Sequence, residues 1–258
     1  THNIHPVMVS IGSIDLYWYG AMYAISFLLI DYLMKREVVH NTTYEFNVSF
    51  IDQLVFISIL SVIIGGRLGY VIFYNFDYYV ENLNKVFYIW EGGMSFHGAL
   101  IGVFVGLIFL SIKNKIKFFK LSDFLVPFIP IGLFLGRIGN FINSELYGSP
   151  TNSNWGVIFP LIDSVPRHPS MLYEAFLEGI VLYLLLLFFK MTRPATGTLT
   201  AIFLIFYSIF RFCVEFVRVP DLHIGYIYST WLTTGMILCV PMFFVGILIY
   251  YYSKKGRI

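Results

Sequence analysis

Three arginines, Arg67, Arg137 and Arg211, interrupt long apolar runs. A guanidinium keeps its charge, and its planar fork of donors fits a phosphate or carboxylate oxyanion. In hydrocarbon such a charge costs at least about 2.5–3.5 kcal/mol, so each arginine must pair with a carboxylate, snorkel to the headgroup layer or serve a ligand. Tyr207, Arg211, Glu215 and Arg218 are spaced i, i+4, i+8 and i+11, which gathers them on one helical stripe. An internal Arg211–Glu215 ion pair is the simplest use of that stripe, and anion binding is the other. In Gly92-Gly93-Met94-Ser95-Phe96-His97-Gly98 an imidazole sits among glycines that permit close approach. His97 suits proton transfer near neutral pH, or else a hydrogen-bonded packing role. No histidine follows at i+4 to make a metal pair. Glu174 and Glu178, also i, i+4, lack Asp or His neighbours, and pairing with buried arginines accounts for them as well as metal binding does. The run Gly136–Gly148 (GRIGNFINSELYG) combines glycines, asparagine amides and a carboxylate, a poor composition for an uninterrupted lipid-facing helix. Its G-x-G spacing lacks the parallel-sheet context of a nucleotide loop.

The elements that must position these groups follow from composition. Of 258 residues 58% are apolar and only 12% charged, which fits lipid as the solvent and leaves no room for a large soluble domain. Apolar stretches at Ile14–Met34, Phe50–Phe73, Gly92–Ile112, Leu121–Phe141, Met171–Met191, Leu199–Val219 and Tyr228–Tyr252 predict seven transmembrane helices and an all-α fold. Runs such as Ile180–Phe189 are apolar all round, unlike the alternating strands of a barrel. Lys35 and Arg36, then Lys113, Lys115, Lys117 and Lys120, then Lys190 and Arg193, then Lys254, Lys255 and Arg257 each follow an odd-numbered span. The positive-inside rule therefore puts the N-terminus outside and the C-terminus in the cytoplasm. No basic, cleavable leader precedes the first span, which reads as a retained helix. The outward loops are about 74–91, 144–170 and 220–227, and the Pro- and Asn-rich middle one predicts a small external cap. The whole of 1–258 reads as a single integral-membrane domain. A net charge of +2 gives no footprint for nucleic acid. Cys213 and Cys239 both lie in apolar stretches, with neither a disulfide framework nor a CxxC pair.

In combination these segments resemble the bacterial prolipoprotein diacylglyceryl transferase family almost end to end. The resemblance is carried by Gly136–Gly148, by Trp18-Tyr19-Gly20, Gly65-Gly66-Arg67-Leu68-Gly69-Tyr70 and Gly92–Gly98, by Arg167-His168-Pro169-Ser170 with Tyr173-Glu174, and by Tyr207 to Arg218. Ser144 departs from the glycine usual in that signature, and the loop at 152–163 is shorter than in some members. The resemblance implies transfer of the diacylglyceryl group of phosphatidylglycerol to the lipobox cysteine thiol of a preprolipoprotein signal peptide. A thioether forms and sn-glycerol 1-phosphate leaves, in the bacterial cytoplasmic (inner) membrane, with the site toward the outer face. It implies Arg137 and Arg211 as the phosphate-side residues and His97 as the base for the thiol. Tyr19, Asn140, Asn143, Glu145, Gly148, Tyr207, Glu215 and Arg218 would contact the headgroup or brace the arginines. It implies no metal, no organic cofactor and no catalytic cysteine. On the residues alone, an anion transporter with a Gly/Pro-broken helix and a non-catalytic membrane scaffold remain alternatives.

Overall fold

The computed structural model describes residues 1–12, 14–41, 44–89, 92–220, 226–228 and 231–257; for Ile14, Phe96, His97 and 226–228 only the backbone is described. The main helices are α1 (Trp18–His40), α2 (Val48–Tyr74), α3 (Phe76–Glu81), α4 (Phe96–Asn114), α5 (Phe118–Leu125), α6 (Ile129–Ile142), α7 (Ser170–Met191), α8 (Thr198–Glu215) and α9 (Thr234–Lys254). Each of the seven expected spans overlaps one of these helices or, for the fourth, a pair, but the first expected span begins on a strand (Ile14–Tyr17) and the seventh starts at Tyr228, in a strand six residues before α9. α2, α7, α8 and α9 are long and apolar enough to cross a membrane, and α5 with α6 makes a fifth. Asp31, Lys35, Arg36 and Glu37 dilute the second half of α1, and the apolar part of α4 is shorter, Gly98–Asn114.

The fourth span is not one straight helix. α5 stops two residues before Pro127, and α6 restarts with Pro130 in its first turn at an angle of 47°. Proline lacks the N–H that a continuous ladder needs but is tolerated at a helix start. Among the described residues, three antiparallel hairpins that an all-α reading omits lie before α1 and between helices: β1 (Val7–Ile11) with β2 (Ile14–Tyr17), β3 (Val157–Ile158) with β4 (Pro166–Arg167), and β5 (Tyr226–Tyr228) with β6 (Leu232–Thr233).

The chain packs as two compact units, Thr1–Ile30 with Asp123–Ile258, and Asp31–Ser122. In the second, α2 and α4 meet along glycines. A Cβ on Gly69 would lie 2.6 Å from Gly98 Cα, and Gly65 and Gly102 are equally tight. Small residues let helix backbones approach where lipid removes the hydrophobic drive for association. Ser95 caps α4, its Oγ accepting from Gly98 N–H at 3.1 Å, while its own N–H donates to Gly66 O at 2.8 Å.

In the first unit, Gly179 of α7 faces Phe134 of α6, and Gly246 of α9 faces Ile205 of α8. One end is closed by Val126, Leu182, Leu186, Leu199 and Ile202. There Asp123 accepts from Gly197 N–H (2.6 Å), Thr200 N–H (2.8 Å) and Thr200 Oγ1 (2.6 Å), satisfying the orphan donors at the start of α8. α7 carries a π-helical segment, Ala175–Val181, at its other end. The polar residues of this unit gather at that end.

Candidate functional site

Arg137 ends the apolar part of α6, Glu174 and Glu178 lie on either side of the junction into the π segment of α7, and Arg211 and Glu215 occupy the last turns of α8. Their side chains form one charge cluster. Arg137 Nε is 2.6 Å from Glu174 Oε2, and its Nη2 is 3.7 Å from Glu178 Oε2. Arg211 donates one Nη to Glu174 Oε1 and the other to Glu215 Oε1. Arg218 Nη1 donates to Glu215 Oε1 at 3.2 Å, and Thr233 Oγ1 donates to Glu215 Oε2 at 2.7 Å. Gly235 leaves room for that carboxylate, since a Cβ there would fall 2.6 Å from Glu215 Oε1.

Three guanidiniums thus face three carboxylates. Glu174 and Glu178 are wholly buried and Glu215 is 2% exposed, whereas Arg137, Arg211 and Arg218 retain 18%, 12% and 10% side-chain exposure. The arginines are thus less deeply buried than the carboxylates they pair with. The π segment bears on this arrangement: one extra residue in a turn re-aims side chains, and such bulges recur at functional sites.

Beside the cluster, the turn after α6 builds an amide–carboxylate network. Asn140 Nδ2 donates to Glu145 Oε2 at 3.1 Å, Asn143 Nδ2 donates to Glu145 Oε1 at 3.2 Å, and Arg137 Nη1 is 3.5 Å from Asn140 Oδ1. Ser144 and Leu146, on either side of Glu145, both have φ of +58°. The left-handed region favours glycine, which gives a backbone reason for the glycine usual at the Ser144 position. Gly139 in the last turn of α6 accommodates the Tyr19 ring, and the Tyr19 hydroxyl is 3.1 Å from that of Tyr23. Tyr207 stacks on Phe203 and lies within electrostatic reach of Glu178, Arg211 and Arg137.

Gly148 brings no functional group but joins two segments. Its N–H donates to His168 O at 2.8 Å, it bridges to Arg218, and a Cβ would fall 2.5 Å from Val217 O. The cap around it is fastened by Arg167, whose Nη2 is 2.5 Å from Asp163 Oδ2 and whose guanidinium lies 5.1 Å from the Tyr147 ring centre. The Arg167 hydrogen bonds hold the Asp163 carboxyl below its ordinary range.

Of the residues expected from the sequence, Arg137, Asn140, Asn143, Glu145, Tyr207, Arg211, Glu215 and Arg218 come together in this unit, with Tyr19 against Gly139 and Gly148 bridged to Arg218. The ion-pair use of Arg211 and Glu215 is present. Glu174 and Glu178 do pair with arginines, and Glu174 is the centre of the cluster. Two carboxylates in an otherwise apolar stretch were a signal as strong as the arginines; Thr233 gave no signal beyond its N-cap position before α9.

Arg67 is not a member of this cluster. Within its own unit its donors go to backbone carbonyls: Nε to Val86 at 2.9 Å, Nη1 to Gly92 and to Gly93 (3.3 Å), and Nη2 to Lys85 at 2.5 Å and Tyr88 at 3.1 Å. The Tyr79 ring centre is 5.1 Å from its guanidinium carbon. Arg67 therefore organises the loop that leads into α4. His97 stands in the first turn of α4, and its side chain lies outside the described residues.

These features define a class: a multi-pass helical membrane protein with a largely buried cluster of arginines and carboxylates, in which guanidinium groups of a kind that suits an oxyanion are held. A family model described as prolipoprotein diacylglyceryl transferase matches residues 6–252. The chain belongs to that family. It is 47% identical over 246 residues to the phosphatidylglycerol–prolipoprotein diacylglyceryl transferase of Methylococcus capsulatus, covering 95% of this chain and 94% of that protein. It is 46% identical over 253 residues to the Bordetella parapertussis enzyme of the same name, covering 98% and 96%. With the Pseudomonas aeruginosa enzyme of that name it shares 47% over 249 residues, covering 95% and 91%.

Proposed function

We propose that this protein transfers the sn-1,2-diacylglyceryl group of phosphatidylglycerol to the lipobox cysteine thiol of preprolipoproteins, the first step of bacterial lipoprotein maturation. The observation that carries this reading is the charge cluster itself, in which Arg137, Arg211 and Arg218 keep 18%, 12% and 10% side-chain exposure while the carboxylates they pair with keep at most 2%. That arrangement suits a phosphodiester, whose leaving ability rises as cations neutralise charge developing on its oxygens. Arg137 and Arg211 hold the phosphate. His97, by the family resemblance, accepts the thiol proton, since the thiolate is the competent nucleophile. The sulfur bonds to the diacylglyceryl carbon as the C–O bond to phosphate breaks, and its electron pair leaves with sn-glycerol 1-phosphate. The substrate supplies the nucleophile, so no covalent enzyme intermediate is needed.

Asn140, Asn143 and Glu145 hold the polar turn beside the phosphate site, Tyr19 and Tyr207 line it, and Arg218 and Glu215 brace Arg211. Gly148 keeps the cap segment seated. The reading includes seven crossings, the N-terminus outside, a single domain over 1–258 and a site toward the outer face of the cytoplasmic membrane. Support comes from the basic clusters: in the unit that holds the cluster, Lys190, Arg193 and Lys254 lie at the helix ends opposite Arg137 and Arg211. Both the lipid and the signal peptide then reach the site from the bilayer.

The deciding experiment uses purified protein in mixed micelles with phosphatidylglycerol and a lipobox peptide, following peptide mass gain and glycerol phosphate release. Transfer by the wild type, lost in folded His97→Ala and Arg137→Ala variants, is expected. Well-folded wild type that binds both substrates and transfers nothing would refute the reading. Cysteine labelling that found positions 97 and 137 open only from the cytoplasm would refute the outer-face orientation.

A further inference from the structure

Glu178 is the one carboxylate of the cluster that is poorly held. It has no exposure, and neither of its oxygens has a hydrogen-bond partner. Its contact with Arg137 Nη2 at 3.7 Å is an ion pair without a hydrogen bond. Glu215, by contrast, accepts from Arg211, Arg218 and Thr233, and Glu174 accepts from Arg211 and touches Arg137 Nε. The groups within electrostatic reach of Glu178 are Arg137 from α6, Glu174 on its own helix, Tyr207 and Arg211 from α8, Arg218 just beyond the end of α8, and the Cys239 thiol from α9.

Formal charges balance while all three carboxylates are ionised, three cations against three anions. A phosphodiester adds one negative charge. The donors of Arg137 that remain least engaged are Nη1, 3.5 Å from Asn140 Oδ1, and Nη2, 3.7 Å from Glu178 Oε2. A phosphate bound there competes with Glu178 for Nη2 and removes its nearest counterion. An ionised carboxylate left in that position has no hydrogen bond from the protein and an excess of negative neighbours, and such a group sheds its charge by taking a proton.

We propose that Glu178 takes up one proton when a phosphodiester headgroup binds at Arg137 and Arg211. The carboxylate and one proton from water become the neutral acid, and the loaded cluster returns to zero net charge. This rests on the phosphate-site reading above. Glu178 is a positioning residue here: it does not touch the reacting carbon but sets the charge against which the headgroup binds.

The test is phosphatidylglycerol binding, without peptide, to the full chain in phosphatidylcholine nanodiscs. Calorimetry in two buffers of different ionisation enthalpy counts protons, and Kd is followed from acid to alkaline pH. Uptake of about one proton per lipid is expected in the wild type, with Kd weakening about tenfold per pH unit on the alkaline side, the slope for one linked proton. Glu178→Gln, a neutral isostere of the acid, is expected to bind without proton uptake and with a flat pH profile. Wild-type binding with no net uptake, or uptake that persists in Glu178→Gln, overturns the inference. If Glu178→Gln does not fold, difference infrared spectra of the wild type and Glu178→Asp decide. A lipid-dependent acid band that moves in Glu178→Asp supports the proposal, and no such band overturns it. Phosphatidylglycerol binding that is indifferent to Arg137→Ala would instead sink the phosphate-site reading itself.

Discussion

Replacing Glu174 by glutamine tests whether the two central arginines are held as described. Glu174 is wholly buried; Oε1 accepts from Arg211, Oε2 lies 2.6 Å from Arg137 Nε, and Arg218 Nε is 4.0 Å from Oε1. Glutamine keeps the shape and one acceptor but turns an NH2 group toward a guanidinium and leaves three buried cations against two carboxylates. Removing one partner of a buried ion pair costs about 3–5 kcal/mol. The retained amide oxygen and the neighbouring Glu178 place the expected loss near the lower end, about 3 kcal/mol. For a chain of this size, about 2–4 °C per kcal/mol translates that into a Tm lower by roughly 6–12 °C. Freed from Glu174, Arg137 and Arg211 lose their fixed geometry, and misplacement by about 1 Å costs on the order of 100-fold in rate. Thermal unfolding in micelles and the peptide-transfer assay read the two effects separately. The double variant Arg137→Gln/Glu174→Gln should be less damaged than the sum of the singles, because the two partners couple. A Glu174→Gln protein with wild-type Tm and wild-type transfer would show that Glu174 does not hold the arginines.

Three other perturbations follow from the backbone and the cap. Gly148→Ala drives a methyl toward Val217 O and His168 and should cost about 1–3 kcal/mol, as overpacking does, with transfer reduced through Arg218; unchanged Tm and activity would count against the bridge as a tight joint. Ser144→Gly relieves a left-handed serine, worth about 1–2 kcal/mol, against about 0.5–1 kcal/mol of added chain freedom, so Tm should stay level or rise slightly; a clear fall would mean the serine hydroxyl matters more than the strain. Because Arg167 depresses the Asp163 pKa, their bond stabilises the cap above the ordinary value of 3.8 and is lost as pH falls through the lower folded value. Limited proteolysis of the 157–167 hairpin should therefore accelerate only in that acid range, and Asp163→Asn should be susceptible at every pH; equal protection of both proteins would remove the pair from the account.

The helices were legible because the bilayer imposes a simple rule, that every buried backbone group be satisfied within the segment. Apolar run length therefore located the four helices, and the bent fifth, that are long and apolar enough to cross a membrane, and that bend lies between α5 and α6 at Pro127 and Pro130. The arginines were legible for the complementary reason that a permanent charge in an apolar run demands a partner. Partner choice was not legible. Arg67, Arg137 and Arg211 look alike in the sequence, yet one is caged by five carbonyls of a single loop and two share Glu174. For Glu174 the sequence leaves arginine pairing and metal binding equally open, because nothing in its own helix says which arginine will reach it.

The sequence by itself determined the class of protein, the segments that form its helices and the chemical inventory of the site, since these depend on residue type and local spacing. Only the tertiary structure decided which cation meets which carboxylate, that Gly148 is a joint between two segments, that a left-handed serine follows Asn143, and that Glu178 is left without a hydrogen bond. Those outcomes depend on how α6, α7 and α8 are set against one another, and a contact between residues 37 positions apart, as Glu174 and Arg211 are, is fixed by helix packing.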